Sequence, residues 1–140
     1  MKCNFLLIAV ALCVLTACQK NNATATVPLN EVVDTVSVAV VTGGFIKGPY
    51  GTTTGTASVY MQNGKHTLAL ENVNISNGPD LHVYLSKEEQ PINFIDLGKL
   101  KSVSGNQLYE ITGKPDFAAY KYALIHCQQY NHLFGSALLK

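Results

Sequence analysis

The chain has no arginine: all ten of its strongly basic residues are lysines, set against nine carboxylates. Without a planar guanidinium fork, bidentate recognition of phosphate or of guanine is ruled out. The near-zero charge balance supplies no field to gather a polyanion, so nucleic acid is not expected as a partner. Tryptophan is absent, and methionine is confined to Met1 and Met61. The usual catalytic signatures are missing too: there is no Gly-x-Ser-x-Gly elbow, no phosphate loop, no dinucleotide fingerprint and no His-Glu-x-x-His. A conventional enzyme is not expected.

What is present begins at the N-terminus. The stretch MKCNFLLIAVALCVLTACQK carries one early cation at Lys2, an apolar run from Phe5 to Val14, and small residues at Thr16 and Ala17 before Cys18. This is the pattern of an export signal, and its apolar run is shorter than the about 20 residues a spanning helix needs. The tetrapeptide Leu15-Thr16-Ala17-Cys18 looks like a bacterial lipobox. On that likeness residues 1–17 are a lipoprotein signal peptide, and Cys18 is acylated and becomes the new N-terminus. Each buried methylene adds about 0.8 kcal/mol, so several acyl chains moor a protein durably at a bilayer. The expected location is the bacterial cell envelope, with the membrane held through Cys18. Gln19, standing where inner-membrane retention wants Asp, favours the outer membrane. Residues 18–35 contain the polar, aperiodic run QKNNATATVPLNEVVD and read as a flexible linker. About 16 such residues span roughly 20–24 Å.

From residue 36 to 140 the periodicity is two and turn residues recur, so one all-β domain is expected: an antiparallel sandwich or barrel-like fold with one short helical turn. The clearest unit is TASVYMQ-NG-KHTLALEN, where Asn63-Gly64 suits a type I′ hairpin. With these as the two loop residues, Gln62 faces Lys65, Met61 faces His66, Val59 faces Leu68 and Ala57 faces Leu70, while Tyr60 and Thr67 lie on the other face. Further strands are expected at 37–41, 81–86, 95–99, 107–111, 122–127 and 133–139. Pro115-Asp116 is placed to open a helical turn running to Tyr120.

Cysteine usage raises the main chemical question. Removal of the leader takes away Cys3 and Cys13, and lipid occupies Cys18, which leaves Cys127 with no intramolecular partner. On an ideal strand Ala123, Ile125 and Cys127 share one face, and Tyr122, Leu124 and His126 the other. Cys127 thus continues an apolar row, and the plain reading is a small buried hydrophobe. The functional reading rests on its place at a strand end, before the polar turn 128–131, with His132 five positions on. A nearby imidazole favours the thiolate, the reactive form.

Several segments together resemble one family: GGFIKGPYGTTTGTASVYMQNG, NGPDLHVYLS, DLGKLKSVSGNQLYEI, and the segment around Cys127 closing with LFGSALL. The pattern is similar to the electron-transfer "DM-thirteen" domain family over about residues 43–139. The resemblance implies a β-rich extracytoplasmic domain with one characteristic cysteine, here Cys127, proposed to act in redox. Its members often accompany haem- or sugar-binding domains and b-type cytochrome modules. This sequence carries no such module, so the implied redox partner, or a partner's haem, belongs to another molecule. The chemistry expected is reversible thiol exchange or a mixed disulfide with a membrane-associated partner, His132 tuning the thiolate.

Two other readings stand beside it. One is a non-catalytic binding or structural envelope module with Cys127 in the core. The other is a copper site: the spacing Cys127-x4-His132 resembles the copper loop of cupredoxins, and His82 is available as a second imidazole for a trigonal His2Cys set. Position 136 is Ser, where that loop wants an axial Met. Asp80, after Gly78-Pro79, reads as a turn residue that caps backbone amides, with ligand binding as its alternative. His66 faces Met61 in the hairpin and reads as half-buried. The outward parities of Tyr60 and Tyr84 suit a binding surface or a second β-layer.

Overall fold

The computed structural model describes residues 23–140. The expected signal peptide and Cys18 lie outside the described residues. Nine strands form: β1 (Leu29–Asn30), β2 (Val38–Lys47), β3 (Thr53–Gln62), β4 (Lys65–Ile75), β5 (Leu81–Ser86), β6 (Phe94–Lys99), β7 (Ser104–Ile111), β8 (Tyr122–Cys127) and β9 (His132–Leu138). They join in one sheet of order β1-β7-β4-β3-β2-β9-β8-β5-β6. Every pairing is antiparallel except β1 with β7.

The sheet turns its corner at β2. The first part of this strand, Val38–Gly44, pairs with β3, and its last part, Phe45–Lys47, pairs with β9. The sheet therefore curls into a half-barrel whose two halves bury one core. Ala57, Val59, Leu68, Leu70, Tyr109 and Ile111 enter that core from one half, and Leu81, Val83, Leu85, Ala123, Ile125 and Cys127 from the other. At about 25 cal/mol per Å² of apolar surface, such alternation toward a shared interior is the main source of stability.

The β3–β4 hairpin has the expected register: Gln62 opposes Lys65, Met61 opposes His66, Val59 opposes Leu68 and Ala57 opposes Leu70. Asn63 and Gly64 take positive φ of 51° and 74°, as a type I′ turn requires. His66 is half-buried, edge-on to Phe117 at 5.0 Å between ring centroids.

Three features depart from expectation. First, β2 continues six residues beyond Val41, through Gly43-Gly44. Glycine weakens the strand signal, yet it is needed here, because a Cβ on Gly43 would lie 2.2 Å from the Leu138 carbonyl oxygen. Second, residues 24–31 do not hang as a linker but run along the edge at β7. Thr24 exchanges two hydrogen bonds with the Asn77 amide (3.2 and 3.0 Å), and the Val103 N–H donates to the Ala25 carbonyl (2.9 Å). The Ser102 hydroxyl donates to the Val27 carbonyl (2.6 Å), and Glu31 takes hydrogen bonds from Lys101 and from the Leu108 N–H. Side-chain parity could not reveal this, since the segment has no apolar rhythm and is held by backbone atoms and by the Asn30 and Glu31 side chains. Third, the expected helical turn is a single turn without a helix: the Asp116 carbonyl accepts from Tyr120 N–H (2.8 Å) and its carboxylate from Ala118 N–H (2.9 Å). One capped turn lacks the repeated bonds that make a helix cooperative.

Candidate functional site at the β5–β8 strand pair

Strands β5 and β8 set out the site. Leu81 pairs with Cys127, His82 with His126, Val83 with Ile125 and Tyr84 with Leu124. Side chains alternate across a strand, so Leu81, Val83, Ile125 and Cys127 face the core while His82, Tyr84, Leu124 and His126 face outward.

Cys127 ends β8 at 1% exposure within the core. It lies opposite His132 across the β8–β9 hairpin, whose tip, 128–131, is exposed. No hydrogen bond joins the thiol to another group among the described residues. The His132 ring instead lies flat on Tyr50, with centroids 3.7 Å apart and planes parallel, and Tyr130 stands 5.9 Å away.

The copper set of Cys127, His132 and His82 is not assembled. His82 shares the outward face with His126, on the side of the sheet away from Cys127, and among the described residues no three His, Cys, Asp or Glu side chains gather closely enough to hold an ion. The physical reason is strand parity: Leu81, not His82, stands beside Cys127. No metal chemistry is derived for this trio.

The outward face is polar yet closed. The His82 Nδ1 lies 2.9 and 3.1 Å from the two oxygens of Asp96, and because a carboxylate only accepts, Nδ1 carries the proton. Its Nε2 is buried without a hydrogen bond, 3.4 Å from Asp80 Oδ1, and Lys99 Nζ reaches the same oxygen at 3.3 Å. His126 Nε2 faces the side-chain oxygen of Asn131 at 3.1 Å, while its Nδ1 is buried without a partner. Burial holds the His126 pKa below its ordinary 6.5, the Asn131 hydrogen bond opposing the shift, so the ring is neutral at neutral pH. Tyr84 lies between these imidazoles with Phe94 stacked on it at 4.2 Å. Burial first, then the charges of Asp96 and Asp80, push its phenol up to about 12.

Among the described residues no backbone N–H bonds the carboxylate of Asp80, so the expected amide cap is not formed and only the backbone of Asp80 joins the β8–β9 tip. Its carbonyl accepts from the Gln128 N–H (2.9 Å), and its carboxylate faces Lys99 and His82. Asp96 and the His82–His126 pairing had no sequence signal beyond parity, since the two histidines meet across 44 positions with no local code.

The described residues thus form a half-barrel with one closed thiol at the end of β8 and a titratable cluster on the reverse of the same strands. The chain belongs to the family described as Electron transfer DM13, whose model matches residues 45–139, from the corner of β2 through Cys127 to the buried Leu139. No curated protein and no solved structure matches it. Membership gives the domain a redox-related role.

Proposed function

We propose that this chain is an exported lipoprotein, anchored in the bacterial envelope through acylated Cys18, whose electron-transfer-linked role is carried by the Cys127 thiol as a guarded group. The observation that carries the reading is the position of Cys127: closed in the core at 1% exposure, yet the last residue of β8, next in the chain to the exposed tip 128–131. A thiol so placed is inert in the closed state and becomes available through local opening, which costs less than global unfolding when it involves only a strand end and turn. In this reading His132, opposite Cys127 across the hairpin, takes the thiol proton once opening frees its ring from Tyr50. The step is exchange with a disulfide of a membrane-associated partner. The Cys127 thiolate attacks one partner sulfur, the partner S–S bond breaks, a mixed disulfide forms, and the other partner sulfur leaves as a thiolate that takes up the released proton. Among the described residues Cys127 is the one cysteine, and attack by the partner's own second thiol would only restore the partner disulfide. Net transfer therefore needs two thiols of an external reductant: the first attacks the Cys127 sulfur and releases the partner as a dithiol, and the second displaces Cys127 as a thiolate and leaves as the reductant's disulfide.

The second reading, a binding or structural envelope module with Cys127 as core, is favoured by the same burial. Thiol labelling of the native protein across a denaturant series separates the two. Labelling in the absence of denaturant at a rate independent of low denaturant reports local opening and supports the guarded thiol. Labelling that tracks global unfolding throughout rejects it.

A further inference from the structure

We propose that the end of the domain carrying Tyr50, Tyr130 and the β8–β9 tip rests on the lipid headgroup layer, so that Cys127 opens toward the bilayer interface. This rests on the reading of Cys18 as the lipid-bearing residue. The first support is reach. Thr24 is fastened to Asn77 by two hydrogen bonds, so only six peptide steps separate Cys18 from a fixed point on the domain. Six residues span at most about 21 Å however they are arranged. A leash of that length sets which end lies nearest the membrane.

The fixed point belongs to one end of the half-barrel. Asn77 lies in the turn 76–80, and Ser76 is joined to Thr52 by the Thr52 N–H to Oγ bond (2.9 Å) and by its own N–H to the Thr52 carbonyl (2.9 Å). The Tyr50 N–H reaches the Leu133 carbonyl, and the Asp80 carbonyl takes the Gln128 N–H. The tether point, the loop around Tyr50 and the β8–β9 tip are therefore neighbours. The Asn63-Gly64 turn is at the opposite end, because β3 runs ten residues from Thr53 to Gln62, about 33 Å at a strand rise of 3.3 Å per residue.

The second support is the chemistry of that end. Tyr50 and Tyr130 are 58% and 57% exposed, flanking His132. Amphipathic rings of this kind gain by sitting at headgroup depth, with the ring among the upper acyl carbons and the hydroxyl in water. Lys47 is exposed where β2 reaches the same end, and a cation there is drawn to an anionic surface. In this orientation a redox partner meets Cys127 from the membrane side, not from the aqueous face.

The absence of tryptophan from the chain supplies the test. Single-tryptophan variants Tyr50→Trp, Tyr130→Trp and, at the far end, Lys65→Trp are expressed with their leader. They are purified from membranes and reconstituted in phosphatidylethanolamine–phosphatidylglycerol vesicles with quencher-labelled acyl chains. The expected result is a blue shift and loss of emission at positions 50 and 130, with neither at 65. In the unsubstituted protein, vesicles are expected to slow amide exchange across 48–52 and 128–132 and leave 62–66 unchanged, which keeps the test valid if a variant misfolds. Acylated Cys18 with equal quenching at both ends, or with none, overturns the orientation alone. Absence of acyl chains on Cys18, read by mass of the N-terminal peptide, overturns the tether and the orientation with it.

Discussion

On the inner face of β5 and β8 stand Leu81, Val83, Leu85, Ala123, Ile125 and Cys127; on the outer face of the same two strands stand His82, Tyr84, Ser86, Leu124 and His126, nearly as well buried. The inner row is closed by the other half of the barrel and needs no hydrogen bonds. The outer row is closed by smaller covers: Phe94 on Tyr84, Asp96 on His82, Asn131 on His126, and Glu89, which accepts from the hydroxyl of Ser136 on β9. Burial alone therefore does not distinguish the two faces. The inner face depends on volume, and the outer face depends on the partners each polar group finds.

The strongest way to break the comparison is to remove the strand both faces share. Deleting residues 135–140 strips most of β9 together with Leu139, whose N–H is bonded to the Lys121 carbonyl, and the pair of backbone bonds between Lys140 and Thr42. The product should show no cooperative melting transition by circular dichroism; a soluble, cooperatively melting truncation would refute the account of the corner. Next in size is Ile125→Ala, which opens a cavity at a fully buried inner position. A loss of about 2–5 kcal/mol in urea unfolding is expected, with m unchanged. An effect under about 1 kcal/mol would mean that the interior relaxes freely.

On the outer face the expected costs are smaller and of another kind. Asp96→Asn can keep the shape but replaces a charged acceptor to His82 Nδ1 by a neutral one, at a site more than a third open to water. About 1 kcal/mol is expected to be lost in urea unfolding. An unchanged midpoint would mean that the charge of Asp96 adds nothing to its bond with His82. The smallest effect concerns pH. The folded His126 pKa lies below its unfolded value of 6.5, so the stability due to its neutral ring is fully present above about pH 6.5 and is lost as pH falls through the folded value. In His126→Gln this part of the acid limb should flatten when stability is followed from pH 7 downward. An unchanged acid limb would assign it to other groups.

The hairpin around Asn63-Gly64 was fully legible because a two-residue turn ties register to neighbouring residues. The extents of β5 and β8 were legible for the same local reason: alternation of side-chain type. The joining of β5 to β8 was not, and with it went the identity of the neighbour of His82. The copper trio failed on that point alone. The edge segment 24–31 escaped notice because backbone groups and two polar side chains, Asn30 and Glu31, hold it, and neither leaves an apolar rhythm in the sequence. The second half of β2 was hidden by Gly43, a residue chosen for the closeness of Leu138, which is 95 positions away in the chain.

What the chain alone determined is most of the strands, their two-residue rhythm, one tight turn and the family that these residues resemble. All are local, since each depends on the covalent geometry and chemistry of a few consecutive residues. Only the tertiary structure decided that the sheet curls at β2, that Cys127 is sealed opposite His132 with Tyr50 stacked on the imidazole, and that Thr24 is pinned beside the same end. Pairings across tens of residues are selected by shared burial and backbone hydrogen bonding in the assembled sheet, and no short stretch of sequence carries that information.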